Sequence, residues 1–291
     1  MRKAGDRARQ ASIRAALAVA CLACGYASPE LQRGSHDWDA ERRRMVDDQL
    51  RARDIRNPRV LDAMLRVPRH LFVPDAERAR AYGDFPLPIG HGQTISQPYV
   101  VAYMTEVLRL TGGERVLEVG TGSGYQAAVL GELAKEVYTI EIVEPLADRA
   151  REILSRLGYR NVQVRTGNGY LGWPEHAPYD RIMVTAAPDD VPPALVEQLA
   201  IGGLMAIPVG AIAQELRILR RTPTGLETLS SLPVRFVPMT GKPKPDARHP
   251  IVPEHVRDSA AARWRNMHSQ SKRQPSAKGG SEWRRMASSV P

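Results

Sequence analysis

Between residues 115 and 208, short apolar runs alternate with amphipathic stretches. Strand-like runs fall at 115–119, 137–142, 162–165, 179–185 and 204–208, and helical patterns at 126–134, 145–157 and 193–199. Short, mostly apolar runs of this length mark strands. The 3.6-residue period between the runs marks the helices that cover them. This alternation predicts a mostly parallel sheet between two helical layers. Two further strands are expected at 215–221 and 227–238, separated only by a tight turn at 222–225. So short a link forces antiparallel pairing, because a parallel crossover needs about a dozen residues. Upstream, Met45, Val46, Leu50 and Ile55 form one helical face, and Val60, Leu61, Met64, Leu65 and Val67 another that stops before Pro68. The Pro- and Gly-rich stretch 85–98 reads as an irregular loop, followed by a helix over 99–110.

Charge divides the chain into three. The net charge is +9, but residues 1–37 carry +3 and residues 242–291 carry +7, which leaves −1 for 38–241. A near-neutral middle offers no footprint for nucleic acid. The predicted domain is therefore 38–241, with a basic, apolar-centred extension before it and a Pro-, Ser- and charge-rich tail, expected to lack order, after it. The extension has a basic start, an apolar stretch from Ala15 to Ala27 and a small-x-small ending, the pattern of an export signal. No apolar run approaches the ~18–20 residues that span a bilayer. Both cysteines, Cys21 and Cys24, lie in that extension, and the histidines show no metal-ligand spacing. No metal is expected.

The chemistry concentrates in VLEVGTGSGY, residues 116–125. Glycines at 120, 122 and 124 follow a strand and precede a helix, so backbone can approach a ligand closely at the carboxyl end of the sheet. The spacing is not G-x-G-x-x-G, and no Gly-Lys-Ser/Thr follows, so neither a dinucleotide nor a phosphate loop is indicated. Glu118 places a carboxylate beside the turn, suited to a cationic amino-acid group. Glu141 ends the second strand where an acidic residue can accept from a ribose diol.

These features resemble the class I S-adenosylmethionine-dependent methyltransferases over roughly 110–238. The resemblance implies that Glu118 faces the methionine moiety, that Gly120, Thr121, Gly122, Ser123, Gly124 and Tyr125 line the cofactor, and that Glu141 holds the ribose. It also implies a seven-stranded, three-layer doubly wound α/β sandwich with N-terminal helices. Four further runs narrow the class: LPIGHGQTISQP at 87–98, TGNGYLGWPEHAPYDRI at 166–182, VTAAP at 184–188 and RFVP at 235–238. Together they resemble the protein-L-isoaspartate O-methyltransferases from about Met45 to Met239, a family with a reversed sixth strand.

That resemblance makes Gln93, Thr94, Ile95, Ser96, Gln97 and Pro98 the substrate loop, with Ser96 as the active-site serine. It places Asn168, Gly169 and Gln214 against the cofactor. The substrates it implies are isoaspartyl proteins and peptides, with S-adenosyl-L-methionine consumed and S-adenosyl-L-homocysteine produced. An isoaspartyl α-carboxylate, pKa near ~3.5, is already ionised at neutral pH and needs no base. Ser96 is then a donor that orients the carboxylate, and no triad is implied. Taken alone, Thr94 and Ser96 could equally cap the helix that follows. Asn168 departs from the family's aspartate. Its amide oxygen can accept the same adenine bond without charge, so Asn168→Asp is expected to tighten cofactor binding.

Two other classes remain in view, a nucleic-acid methyltransferase and a non-catalytic cofactor-binding scaffold. Against the first, TAAP at 185–188 stands where base-amino methyltransferases carry Asp/Asn-Pro-Pro-Tyr/Phe. A cytoplasmic monomer is expected, because the methyl donor is kept inside the cell. A periplasmic or lipid-anchored protein is the alternative that the first segment suggests.

Overall fold

The computed structural model describes residues 36–242. The expected extension 1–37 and tail 242–291 fall outside the described residues, apart from His36, Asp37 and Lys242.

The N-terminal helices form where the apolar faces predict them. Helix α1, Trp38–Arg44, is capped by the Asp37 carboxylate, which accepts from Ala40 N at 2.9 Å. It continues through wider turns over Met45–Arg51, where Ala52 N reaches back five residues to Asp47 O. Helix α2, Pro58–Arg66, starts with Asn57 accepting from Arg59 N and a proline at its first position. Pro68 holds the preceding Val67 extended and ends the helix. Two short 3₁₀ segments, Arg69–Phe72 and Asp75–Arg80, lead onward.

The expected loop over 85–98 is instead a small hairpin. β1, Leu87–Gly90, pairs antiparallel with β2, Gln93–Ile95, through a turn in which Gly90, His91 and Gly92 all have positive φ. Leu87, Ile89 and Ile95 point into the core. That alternation spans too few residues to stand out among the glycines and prolines. Helix α3, Pro98–Val107, stops short of the expected residue 110, because Arg109 turns left-handed at φ 52°.

The main sheet has seven strands. β3 (Arg115–Val119), β4 (Glu136–Glu141), β5 (Val162–Thr166), β6 (Tyr179–Val184), β7 (Leu199–Val209), β8 (Gln214–Thr222) and β9 (Gly225–Val234) lie in the order β5-β4-β3-β6-β7-β8-β9. All pairs are parallel except β7–β8 and β8–β9. The reversed strand is the sixth of this sheet, as expected. Helices α4 (Tyr125–Gly131), α5 (Glu144–Arg156) and α6 (Pro193–Gln198) connect the parallel strands. Along β3, Val116 joins the core packed under the N-terminal helices, α4 and α5, while Leu117 and Val119 join the second core on the opposite face, with Leu195 of α6. This gives the three layers.

The last strand is shorter than the apolar pattern suggests. The β8–β9 ladder ends at the pair Gln214–Val234. Residues after Val234 leave the sheet and cross to Ala187, where Ala187 N donates to Val237 O at 2.8 Å and Met239 N to Ala187 O at 2.7 Å. Because β9 runs parallel to β3, this segment emerges at the carboxyl ends of the central strands.

Candidate active site

The glycine turn is held from two sides. Gly120, Gly122 and Gly124 have φ of 99°, 53° and 87°, where side chains are strained. A Cβ on Gly120 would lie 2.3 Å from Thr185 Oγ1, closer than any contact allows. Thr185 Oγ1 donates to Gly120 O at 2.6 Å, while Gly120 N and Thr121 N donate to Ile140 O at 2.8 and 3.2 Å. The turn is thereby pinned between β4 and the end of β6.

Glu118, Thr139 and Glu141 share one face of the sheet, since Glu118 pairs with Thr139 and Glu141 lies two residues further along β4. Their environments differ. Glu141 accepts from Gly122 N at 2.8 Å through one oxygen and from Val143 N at 2.9 Å through the other. Glu118 is fully buried. Its Oε2 accepts from Thr139 Oγ1 at 2.6 Å, and its Oε1 has no partner. Burial, reinforced by the nearby Glu141 charge, pushes its carboxyl up to about 8 despite the Thr139 bond.

One cavity lies over the turn. Its walls include Gly120, Gly122, Glu141, Gly169 and Thr185, and the crossing segment from Val237 to Thr240. Glu118 does not reach this wall and lies behind the turn. Asn168 stands next to Gly169; its Oδ1 accepts from Tyr170 N at 3.0 Å and its Nδ2 donates to Gly241 O at 2.6 Å. Gln214 is not at the cavity at all. Its amide grips both backbone groups of Phe236, accepting from N at 2.6 Å and donating to O at 3.2 Å. The Gln214 position therefore anchors the crossing segment rather than lining the pocket.

A second cavity adjoins the first and shares Thr94, Gly120, Gly122 and Thr185 with it; Ile95, Ser96, Thr121, Ser123 and Tyr125 complete much of its wall. It opens outward to a larger apolar groove bounded by Thr94, Ser96, Gln97, Tyr99, Phe236 and Pro238. Gln93 lines the first cavity; Pro98 and Gly124 line none of the three and instead begin helices α3 and α4. The capping role open to Thr94 and Ser96 is not taken: Gln97 is the cap residue of α3 and makes no side-chain capping bond. Ser96 is held through its backbone, whose carbonyl accepts from Arg69 Nη2 at 2.7 Å.

Two residues at this site had no assigned role in the sequence. Thr185 borders all three cavities and staples the turn. Its visible signal was the small polar residue ending an apolar strand. Arg69 had only the oddity of an arginine inside the apolar run VPRHLFVP. Among the described residues, no group of three or more His, Cys, Asp or Glu is placed to hold a metal, and no helix is long and apolar enough to cross a membrane.

The donor set fits an extended ligand with a hydroxylated sugar. Gly120 and Gly169 leave room that a Cβ would fill against Thr185 and Val119, Glu141 offers a carboxylate at the wall, and Glu118 Oε1 is an orphaned buried acceptor. Sheet order, glycine turn and paired cavities define a class I methyltransferase domain. The chain belongs to the protein-L-isoaspartate(D-aspartate) O-methyltransferase family, whose sequence profile it matches over residues 40–244. It is 57% identical over 219 residues to the protein-L-isoaspartate O-methyltransferase of Synechococcus sp. (strain JA-2-3B'a(2-13)), covering 72% of this chain and 90% of that protein. A solved protein-L-isoaspartate O-methyltransferase aligns at a TM-score of 0.65 and 30% identity, covering 69% of this chain and 66% of the other. A Plasmodium falciparum structure of the same name, in complex with S-adenosyl-L-homocysteine, aligns at 0.59 and 26% identity, covering 67% and 96%.

Proposed function

We propose that residues 38–241 form a domain that transfers a methyl group from S-adenosyl-L-methionine to the α-carboxylate of L-isoaspartyl residues in proteins and peptides. The observation that carries this reading is the shared wall: the cavity over the glycine turn and the cavity at Ser96 meet at Thr94, Gly120, Gly122 and Thr185. A donor in one can face an acceptor in the other. When bound, the cofactor supplies a methyl on a cationic sulfur and leaves as S-adenosyl-L-homocysteine.

The remaining work falls to this chain. Gly120 and Gly122 form the backbone surface against the cofactor, Thr121, Ser123 and Tyr125 line the adjoining cavity, and Gly124 lets the turn pack closely on Ala150. Glu141 keeps lone pairs free for ribose hydroxyls beyond its two backbone donors, and Asn168 Oδ1 keeps one for the adenine amino group beside Gly169. Glu118 lies behind the turn, where Thr139 holds one oxygen and burial keeps the carboxyl neutral. Gln93, Thr94, Ile95, Ser96, Gln97 and Pro98 form the loop that receives the carboxylate, with the Ser96 hydroxyl orienting it. No proton need move, so catalysis rests on removing water and aiming one carboxylate oxygen. The methyl ester then closes to a succinimide, which opens to aspartate or isoaspartate. No metal and no nucleic acid enter the reading. Every proposed site residue comes from one chain, which suits a monomer, and a cytoplasmic location would keep the enzyme with its donor.

The test is methyl transfer from labelled cofactor to an isoaspartyl peptide and to its aspartyl isomer. Base-labile label on the isoaspartyl peptide alone is expected. Ser96→Ala should lower turnover by ~10-fold or more, the scale of one lost orienting hydrogen bond, with S-adenosyl-L-homocysteine affinity nearly unchanged. Equal loss of cofactor binding would remove Ser96 from the substrate role.

A further inference from the structure

Arg69 is fully buried, and the arginine has no acidic partner. Nε donates to Ala81 O and Nη2 to Ser96 O, both at 2.7 Å, and the guanidinium carbon lies 4.9 Å from the centre of the Tyr125 ring. Nη1 has no partner, and Arg69 forms no ion pair among the described residues. Burial lowers its pKa only to about 10, so the group stays charged at neutral pH. An ion taken out of water without a counter-ion is among the costliest groups a fold can hold. Tying two carbonyls together does not require that cost, since a neutral donor could do the same.

The charge sits behind one particular place. Ser96 and Tyr125, the two residues it touches on that side, both line the Ser96 cavity. Under the function proposed above, on which this inference rests, that cavity receives a carboxylate. The missing counter-ion and the expected substrate therefore have complementary charge.

We propose that Arg69 is a positioning residue and the counter-charge for the substrate: it fixes the Ser96 backbone and selects an anionic α-carboxylate over a neutral group of the same shape. The carboxylate loses charge as it accepts the methyl group, so this field favours the bound substrate over both the transition state and the ester. Arg69 thus strengthens binding of the acid, does not speed turnover and favours release of the neutral product.

The experiment compares an isoaspartyl peptide with the same peptide bearing an α-carboxamide, each titrated onto the full-length chain saturated with S-adenosyl-L-homocysteine. Wild type should bind the acid at least ~10-fold more tightly, consistent with a charge-assisted interaction at a buried site. In Arg69→Gln the ratio should collapse toward one, with the carboxamide and S-adenosyl-L-homocysteine affinities held; in turnover, KM for the acid should rise while kcat stays within ~3-fold. Arg69→Lys, which keeps the charge, should keep most of the ratio. A ratio near one in wild type would overturn the inference, whether or not Arg69→Gln folds. So would equal weakening of both peptides in Arg69→Gln, which is the mark of a purely structural arginine. If wild type forms no isoaspartyl ester at all, the function proposed above falls and this inference with it.

Discussion

The rim of the cavity over the glycine turn and the buried floor behind that turn each carry one glutamate, on neighbouring strands and the same sheet face, in opposite states. At the rim, Glu141 has a backbone N–H on each oxygen. At the floor, Glu118 has one hydroxyl on one oxygen and nothing on the other. Two carboxylates of the same kind thus become different instruments. The rim is finished before any ligand arrives and fixes the turn's shape. The floor carboxyl is held in its neutral form by burial. The distinction follows from chain direction: Glu141 ends its strand, where the next turn supplies free N–H groups, whereas Glu118 lies inside its strand, where backbone N–H groups are already used.

The largest effect is expected at the rim. Glu141→Ala removes the acceptor for Gly122 and Val143 together. Cofactor Kd should rise by ~100-fold, about 2.7 kcal/mol, measured by calorimetry, while the aromatic near-UV signal of the fold survives. An unchanged Kd would show that the turn keeps its shape without Glu141.

At the floor, the predicted effect is a pH dependence. Glu118 titrates near 8 in the fold, against 4.5 as its ordinary value. The folded chain therefore holds a proton that the unfolded chain has released between those values. The contribution to stability is full below about 4.5 and is lost as pH rises through about 8. The limiting slope is ~1.4 kcal/mol per pH unit. Thermal unfolding of the cofactor-free chain from pH 5 to 8 should show this decline, and Glu118→Gln should flatten it. A wild-type curve parallel to the variant's would mean that Glu118 is ionised and partnered after all.

The smallest effect is expected at Asn168, where the structure revises the reading from sequence. Aspartate there would be a stronger acceptor for adenine but could not donate to Gly241 O, which it would face at 2.6 Å. The two effects are each ~1 kcal/mol and oppose one another. Cofactor Kd in Asn168→Asp should stay within ~3-fold, with association and dissociation both faster in stopped-flow because the crossing segment is released. A tenfold tightening with slower dissociation would show that the Gly241 contact carries no weight.

What could be read in the sequence divides along the same line. β3 was legible to the residue, because its apolar run lies between glycines that stop it on both sides. The cofactor-side carboxylates were legible as strand residues near a glycine turn, but not their contrast, since hydrogen-bond partners come from the neighbouring strand and the next turn. The β1–β2 hairpin was hidden because its period-two signal spans four residues. β9 ends before its apolar pattern does, because Phe236 and Val237 continue that pattern after the β8 partner has ended. The family motif puts Gln214 at the cofactor, whereas in the fold its amide is spent on Phe236. Arg69 could not be foreseen, since its meaning depends on Ser96, 27 residues later, being brought against it.

The reversed sixth strand has a consequence for synthesis. A ribosome delivers β3 through β6 first, and these strands bring the glycine turn, Glu118, Glu141 and Thr185 together. The pocket still lacks a wall then, because β9 must pair before residues 237–240 can cross to Ala187. Since domains assemble as they emerge, N-terminal parts first, the nascent chain can complete its sheet's central strands well before it can enclose a ligand. A chain cut after Val234 would retain all seven strands and lose residues 237–240 from the pocket wall.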